Sequence, residues 1–287
     1  GVHGVGTAEF FRQEYYVNHM LCTSKIPQIS LWNGIVMGGG VGVSIYGKYR
    51  VATEHTVFAM PETGIGLFPD VGSLYWMPRM LNMSMAKYLA LTGARLKAAD
   101  LMETGLATHY IPSEKLDDLE AALVSATESD SDTTLDSVLG SFHQSPPEAS
   151  TFPGNEIERT FDAETIEQIL ENLLTMDTNF AQTTIQTLGK MSPTSLKVTL
   201  EGLKRGAACK TITEDLHMEF RIGQAFMRNH DFYEGIRAAL VDKDNTPLWK
   251  PATLAQVTDI NDYFAPIEHE WEIPKELREH ERTTAKR

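Results

Sequence analysis

Met37-Gly38-Gly39-Gly40-Val41-Gly42 and, further on, Phe58-Ala59-Met60-Pro61-Glu62-Thr63-Gly64-Ile65-Gly66-Leu67-Phe68-Pro69-Asp70-Val71-Gly72 are the two stretches from which the architecture is best argued. In the first, consecutive glycines let the backbone come close to a ligand and turn amide N–H groups toward an anion. One such N–H at a helix start can stabilise the oxyanion of a carbonyl under attack. Taken alone, the triplet fits a tight turn at least as well. It lacks the Lys-Ser/Thr ending of a P-loop and the spacing of a dinucleotide fingerprint. In the second stretch, Glu62 and Asp70 sit among apolar neighbours, and partial burial raises a carboxyl pKa toward a range useful for proton transfer. The plainer alternative is a loop with two solvated acids, Asp70 serving as a turn or helix cap after Pro69.

Working outward, the segment from Pro27 to Trp32 alternates and is rich in β-formers, which predicts a strand ending at Asn33-Gly34. Upstream, apolar residues at helical spacing predict a helix over 10–23. Downstream, Val43–Tyr46 reads as a short helix fed by the glycine turn, and 49–52 and 56–59 read as strands. Helices are expected at about 84–92, at 98–103 with a stop at Gly105, and at 115–126. This alternation is the signature of an α/β protein. The Ser-, Asp- and Pro-rich stretch over 127–162 reads as a loose connection between the core at 1–126 and a second, helical part of the chain. Helical patterns at 163–175, 177–190, 194–205 and 211–228 make 163–250 that helical C-terminal region. The last of these helices carries an apolar stripe of Met218, Ile222, Ala225 and Phe226. The Pro- and charge-rich remainder, 251–287, reads as a solvated, charged tail.

The chain has 287 residues, 42% hydrophobic and 22% charged, an ordinary globular balance with ample material for a core. Its formal charge of −14 repels nucleic acid, and no basic stripe with interleaved aromatics offsets it. No apolar run is long enough to cross a bilayer, so no membrane partner is expected. Two cysteines, Cys22 and Cys209, rule out a disulfide framework; both are expected to be buried and reduced. His55, His109 and His143 are isolated, and no His/Cys/Asp spacing suggests a metal site. A Gly-x-Ser-x-Gly elbow is absent, which argues against a serine hydrolase.

Together the two glycine- and acid-bearing stretches resemble the crotonase (enoyl-CoA hydratase/isomerase) superfamily, where a glycine-triplet loop precedes a Pro-Glu-x-x-x-Gly segment. Gly34–Ser44, Arg50–Glu54, Phe58–Thr63, Leu91–Gly93, Lys190–Lys197, Met227–Gly235 and Lys243-Asp244 are similar more specifically to its hydroxyisobutyryl-CoA hydrolase branch. The resemblance implies a crotonase-like core, a ββα superhelix, with a helical C-terminal region. It implies that the Gly39 N–H is an oxyanion donor, that Glu62 is the catalytic carboxylate, and that Asp70 assists it. It also implies that Glu14 reaches the substrate's 3-hydroxyl, so that Glu14, Gly39, Glu62 and Asp70 form the binding site. By its residues alone, Glu14 is only an acid on an amphipathic helix. The histidine in Met227–Gly235, His230, belongs to a structural block of the family and is given no catalytic role.

The implied activity is hydrolysis of a short 3-hydroxyacyl-CoA in valine breakdown, in the mitochondrial matrix, without a metal or redox cofactor. The expected partner is the acyl-CoA substrate, and homo-oligomerisation is left open. Hydratases of the superfamily hold one water between two glutamates, the first of which lies two residues past the last glycine of the triplet. Here that position is Gly42, and a second carboxylate stands instead at Asp70. A single acid facing a polarised thioester fits hydrolysis, by direct attack or by activating water. Superfamily members also begin with paired strands and an Ala-Gly-Gly-Asp-like loop that carries the other oxyanion N–H. Nothing before Phe10 matches that block, so the expectation is an N-terminally truncated core with one oxyanion donor. Two rival readings stand beside the hydrolase: an enoyl-CoA hydratase or isomerase, and a catalytically silent subunit of a mitochondrial assembly such as the ribosome.

Overall fold

The computed structural model describes residues 3–128 and 134–274. A long first helix, α1 (His3–Thr23), leads to β1 (Ile29–Trp32), β2 (Ile35–Met37), the single turn α2 (Gly39–Gly42), β3 (Tyr49–Ala52) and β4 (Val57–Ala59). Then come α3 (Ser73–Met80), α4 (Met83–Thr92), α5 (Ala98–Glu103) and β5 (His109–Tyr110). The strands deal alternately into two parallel sheets: β1-β3-β5 in one, β2-β4 in the other. Each step therefore places one strand in each sheet before a helix, the ββα winding expected from the resemblance. Registers are continuous, from Ile29 opposite Tyr49 to Trp32 opposite Ala52, and from Ile35 opposite Val57 to Met37 opposite Ala59. The short strand β2 falls in the stretch read only as the turn after Asn33-Gly34.

The rest of the chain is helical: α6 (Leu116–Glu128), α7 (Leu135–Phe142), α8 (Gly154–Phe161), α9 (Ile166–Leu174), α10 (Asn179–Leu188), α11 (Pro193–Ala208), α12 (Ile212–Arg228) and α13 (His230–Ile236). The starts of four of these are written in the sequence. Thr165, Thr178, Ser192 and Thr211 each accept the backbone N–H three residues on, satisfying amides that the helix itself leaves open.

Two expectations need correction. The stretch 127–162 is not a loose connection where it is described, because α7 and α8 lie in it and bury Val138, Leu139, Ile157 and Phe161; residues 129–133 lie outside the described residues. Its helices are short amphipathic pieces with strong apolar faces, which the surrounding Ser, Asp and Pro obscure. Nor are residues 251–274 a solvated tail. Phe264, Trp271 and Ile273 are buried there, and Trp271 Nε1 donates to the Arg12 carbonyl at 3.1 Å. Apolar residues spaced among prolines and acids make no periodic pattern, yet they anchor this segment on α1. Residues 275–287 lie outside the described residues. The cysteines, expected buried, are half-buried and not joined in a disulfide.

The main core gathers Trp32, Val36, Phe58, Met60, Phe68 and Leu74 with Val198, Leu203, Ile222 and Phe226 from α11 and α12. The helical region thus shares its interior with the ββα winding. A second cluster unites Leu91 with α8–α11, and a third joins Phe11 and Tyr15 of α1 to Leu216, Phe220 and Trp271.

Candidate active site

Parallel pairing of β2 with β4 brings Met37 beside Ala59, so the residues just past the two strands, Gly38 and Met60–Glu62, leave the sheet together. Gly38 has φ +53°, a left-handed conformation that favours glycine. The N–H groups of Val41 and Gly42 both return to its carbonyl, which leaves the amides of Gly39 and Gly40 ahead of the helical ladder. A Cβ at Gly38 would lie 3.1 Å from Glu62 Oε1, and one at Gly39 would lie 2.7 Å from Glu14 Oε1. Two carboxylates from distant parts of the chain therefore close on the triplet, and only because it has no side chains.

Glu62 opens a 3-10 turn (Glu62–Ile65) directly after Pro61 and is almost wholly buried. Its Oε2 finds no hydrogen-bond partner among the described residues, so it is available to a bound molecule. The turn is braced from behind. Thr63 Oγ1 donates to the Leu91 carbonyl at 3.1 Å, and Ser192 N–H donates to the Thr63 carbonyl at 3.2 Å. At the far end Gly66, φ +69°, packs against the backbone of Asp231, and Gly235 packs against the carbonyl of Ile65. The loop and α13 thus meet backbone to backbone.

Asp70 lies beyond that loop, also buried, and accepts the Tyr15 hydroxyl at 3.2 Å. The next two residues are left-handed, Val71 at φ +55° and Gly72 at φ +77°. For a β-branched residue such as Val71 this is strained. The turn is held by Tyr46, whose hydroxyl donates to the Val71 carbonyl at 2.6 Å, and by Glu219 Oε2, which accepts Gly72 N–H at 2.7 Å. It also seals position 42: a Cβ there would lie 2.6 Å from the Val71 Cβ and 2.8 Å from Asn18 Nδ2, which itself donates to the Gly42 carbonyl.

The site is acidic, and among the described residues no cation is among the charges that act on its acids. Burial, then the charge of Asp70, pushes Glu62 well above the usual carboxylate range. Burial and then Glu14 push Asp70 up to about 7, against the Tyr15 hydrogen bond that favours its ionised form. Burial also raises Glu14. Asp70 therefore exchanges its proton near neutrality, as a general acid or base must.

The four residues expected at the site, Glu14, Gly39, Glu62 and Asp70, are thus brought together. The sequence reading missed Tyr15, Asn18, Val71 and Glu219. Asn18 stands one helical turn after Glu14, a spacing that could have flagged it. His230 stands on α13 with its Nδ1 3.1 Å from Asp231 Oδ1. Among the described residues no group of three or more His, Cys, Asp or Glu could hold a metal ion, and no helix is long and apolar enough to cross a membrane.

Residues 2–264 match the family model described as enoyl-CoA hydratase/isomerase. The chain is 49% identical over 267 residues to 3-hydroxyisobutyryl-CoA hydrolase, mitochondrial, of Rattus norvegicus, covering 90% of this chain and 69% of the rat protein. It is 43% identical to the protein of the same name from Dictyostelium discoideum, over 92% of this chain and 70% of that one. This chain belongs to the 3-hydroxyisobutyryl-CoA hydrolase family.

Among solved structures, a carnitinyl-CoA dehydratase from Mycobacterium thermoresistibile superposes with a TM-score of 0.86 at 35% identity, covering 96% of this chain and 78% of that one. An enoyl-CoA hydratase from Rhodobacter sphaeroides does so with a TM-score of 0.80 at 32% identity, covering 93% and 76%. The crotonase-like fold is therefore common ground between the hydrolase family and proteins named for adding or removing water. In this chain position 42 is a glycine closed in by Val71 and Asn18.

Proposed function

We propose that this chain hydrolyses the thioester of 3-hydroxyisobutyryl-CoA, and of similar short 3-hydroxyacyl-CoA esters, to the free acid and CoA in the mitochondrial matrix. The curated relatives bear that activity and the mitochondrion in their names. One observation in this chain carries the reading: Glu62, with a buried and unpartnered Oε2, lies against the glycine triplet while the place of a second acid, at Gly42, is filled.

The thioester carbonyl oxygen lies against the Gly39 N–H, which stabilises the negative charge that develops on it. Ionised Glu62 then attacks the carbonyl carbon, expelling the CoA thiolate and leaving an anhydride that water opens. Alternatively, it takes a proton from the water that attacks directly. Either route ends with the acid and the thiol, and every step moves only an acyl group or a proton. No metal or redox cofactor is needed. Asp70 and Tyr15 hold the water or the 3-hydroxyl from one side and Glu14 from the other. Hydration or isomerisation of an enoyl-CoA is disfavoured, because adding water across a double bond draws on two acids around one water.

The test is release of thiol from 3-hydroxyisobutyryl-CoA by the chain and by Glu62→Gln. The parent is expected to release thiol and the variant to be slower by roughly 10²–10⁴-fold. An unaffected variant rejects the role of Glu62. Hydration of crotonyl-CoA without thioester cleavage rejects the hydrolase.

A further inference from the structure

Glu219 and Asp215 lie one turn apart on α12, both wholly buried, and the hydrolysis proposed above uses neither. Buried acids are rare without a task, since each costs free energy unless paired or protonated. Glu219 has visible work. Its Oε2 accepts Gly72 N–H at 2.7 Å and its Oε1 accepts Leu74 N–H at 3.2 Å. These amides begin α3, whose N-cap, Gly72, has no side chain to offer. A carboxylate from another helix thus takes the capping role, where the helix dipole favours negative charge.

The same two bonds reach the active site. Gly72 and Val71 are the left-handed pair that carries the chain away from Asp70. Strain of this kind at a non-glycine residue persists only where surrounding bonds over-determine it. Tyr46 grips Val71 from one side and Glu219 grips Gly72 from the other. We propose that Glu219 is a positioning residue: by pinning Gly72 and Leu74 it fixes the Val71–Gly72 turn, and so sets Asp70 against Tyr15 beside Glu62. The assignment rests on the reading of Asp70 as a working acid of the site.

Asp215 stands one turn before Glu219 on α12, and neither of its carboxylate oxygens has a hydrogen-bond partner among the described residues. Burial pushes both acids up, Asp215 to about 7, and Asp215 raises Glu219 further. The groups that face Asp70 are Glu14 and Tyr15 from α1, Tyr46 ahead of β3, Glu62 from the 3-10 turn, and Glu219 from α12. Those that face Glu219 are Asp215, Asp70, Tyr15 and Tyr46, with Arg79 beyond Asp215.

Two variants separate reach from charge. Glu219→Gln keeps the Gly72 bond through its carbonyl oxygen but loses the charge. Glu219→Asp keeps the charge but is too short to hold both amides. The readouts are the titration of Asp70, followed by carboxyl ¹³C NMR of aspartate-labelled protein and assigned with Asp70→Asn, and kcat and KM for thioester hydrolysis. In Glu219→Gln the Asp70 titration is expected to stay near that of the parent, because the amide oxygen keeps the Gly72 bond and Glu219 is not among the charges that raise Asp70. In Glu219→Asp it is expected to move up, because the relaxed turn loses the Tyr15 bond, and kcat falls roughly tenfold or more with KM little changed. An Asp70 titration that stays put in soluble Glu219→Asp, with only thermal stability lost, overturns the proposal. If Glu219→Gln does not fold, an unmoved titration in Glu219→Asp does so alone. A parent with no thioesterase activity sinks the hydrolase reading, and the titration still decides the role of Glu219.

Discussion

Asp70 stands within one acidic cluster with Glu62 and Glu14, and its charge is among the causes that raise Glu62. If Glu62 must be ionised to act, the rate falls as pH drops through its raised pKa. The acid limb of kcat/KM therefore belongs above the ordinary carboxylate range. Asp70→Asn removes a like charge, so ionised Glu62 becomes easier to form and the limb moves to lower pH. A rate–pH profile of the two proteins measures this, and a limb that moves up or stays put rejects the coupling. Of the site's residues, those in contiguous motifs were legible: the triplet and the Pro61-Glu62 pair announce themselves. Glu14 stood out only through resemblance, since an acid on an amphipathic helix looks solvated. Tyr15 and Glu219 were not legible, because nothing local to them shows which distant groups they will touch, and Asn18 offered only its spacing from Glu14.

Elements were readable where their ends carry their own chemistry. Helices α9 to α12 begin at Thr or Ser residues that cap them, and their apolar stripes agree with the expected spans. Helix α3 was not foreseen, because Gly72 offers no cap, Pro78 interrupts its pattern, and its missing partner comes from α12. Strand β2 is three residues long, too short for an alternation to register. The contact between the Glu62–Ile65 turn and α13 gives a prediction on this scale. A Cβ at Gly235 would lie 2.1 Å from the Ile65 carbonyl oxygen, so Gly235→Ala must push turn and helix apart. Because Glu62 heads that turn, kcat should fall by about ten- to a hundredfold although residue 235 touches no substrate. Steady-state kinetics on the folded variant checks it, and a parental kcat would show that the turn is held by Thr63 and Ser192 alone.

On the scale of the whole molecule, the buried acids set how stability answers to pH. Glu62, Asp70, Asp215 and Glu219 are all pushed up by burial. Their folded pKa values exceed the unfolded ones, so the native state binds the extra protons. Stability is then greatest below the ordinary carboxylate pKa as far as these groups are concerned, and it is lost as pH rises through the folded values, about 7 for Asp70. The melting temperature should fall between about pH 5.5 and 8, the reverse of what salt-bridged acids produce. Asp70→Asn should flatten that fall, its share being roughly 2–4 kcal/mol for a shift of this size. Thermal denaturation across the range decides it; a melting temperature that rises over the interval contradicts the assigned burial.

One long-distance tie has a consequence for biosynthesis. Arg12 bonds the Glu270 carbonyl across 258 residues, and Trp271 packs beside Tyr16. At about 5–20 residues per second, a ribosome needs roughly 13–50 s to deliver that partner after the first helix has emerged. Throughout that interval Phe11 and Tyr15 lack part of their cover, making the nascent chain a client for chaperones. A nonsense codon just upstream of Trp271 leaves every catalytic codon translated, yet withholds the latch for the helix that carries Glu14.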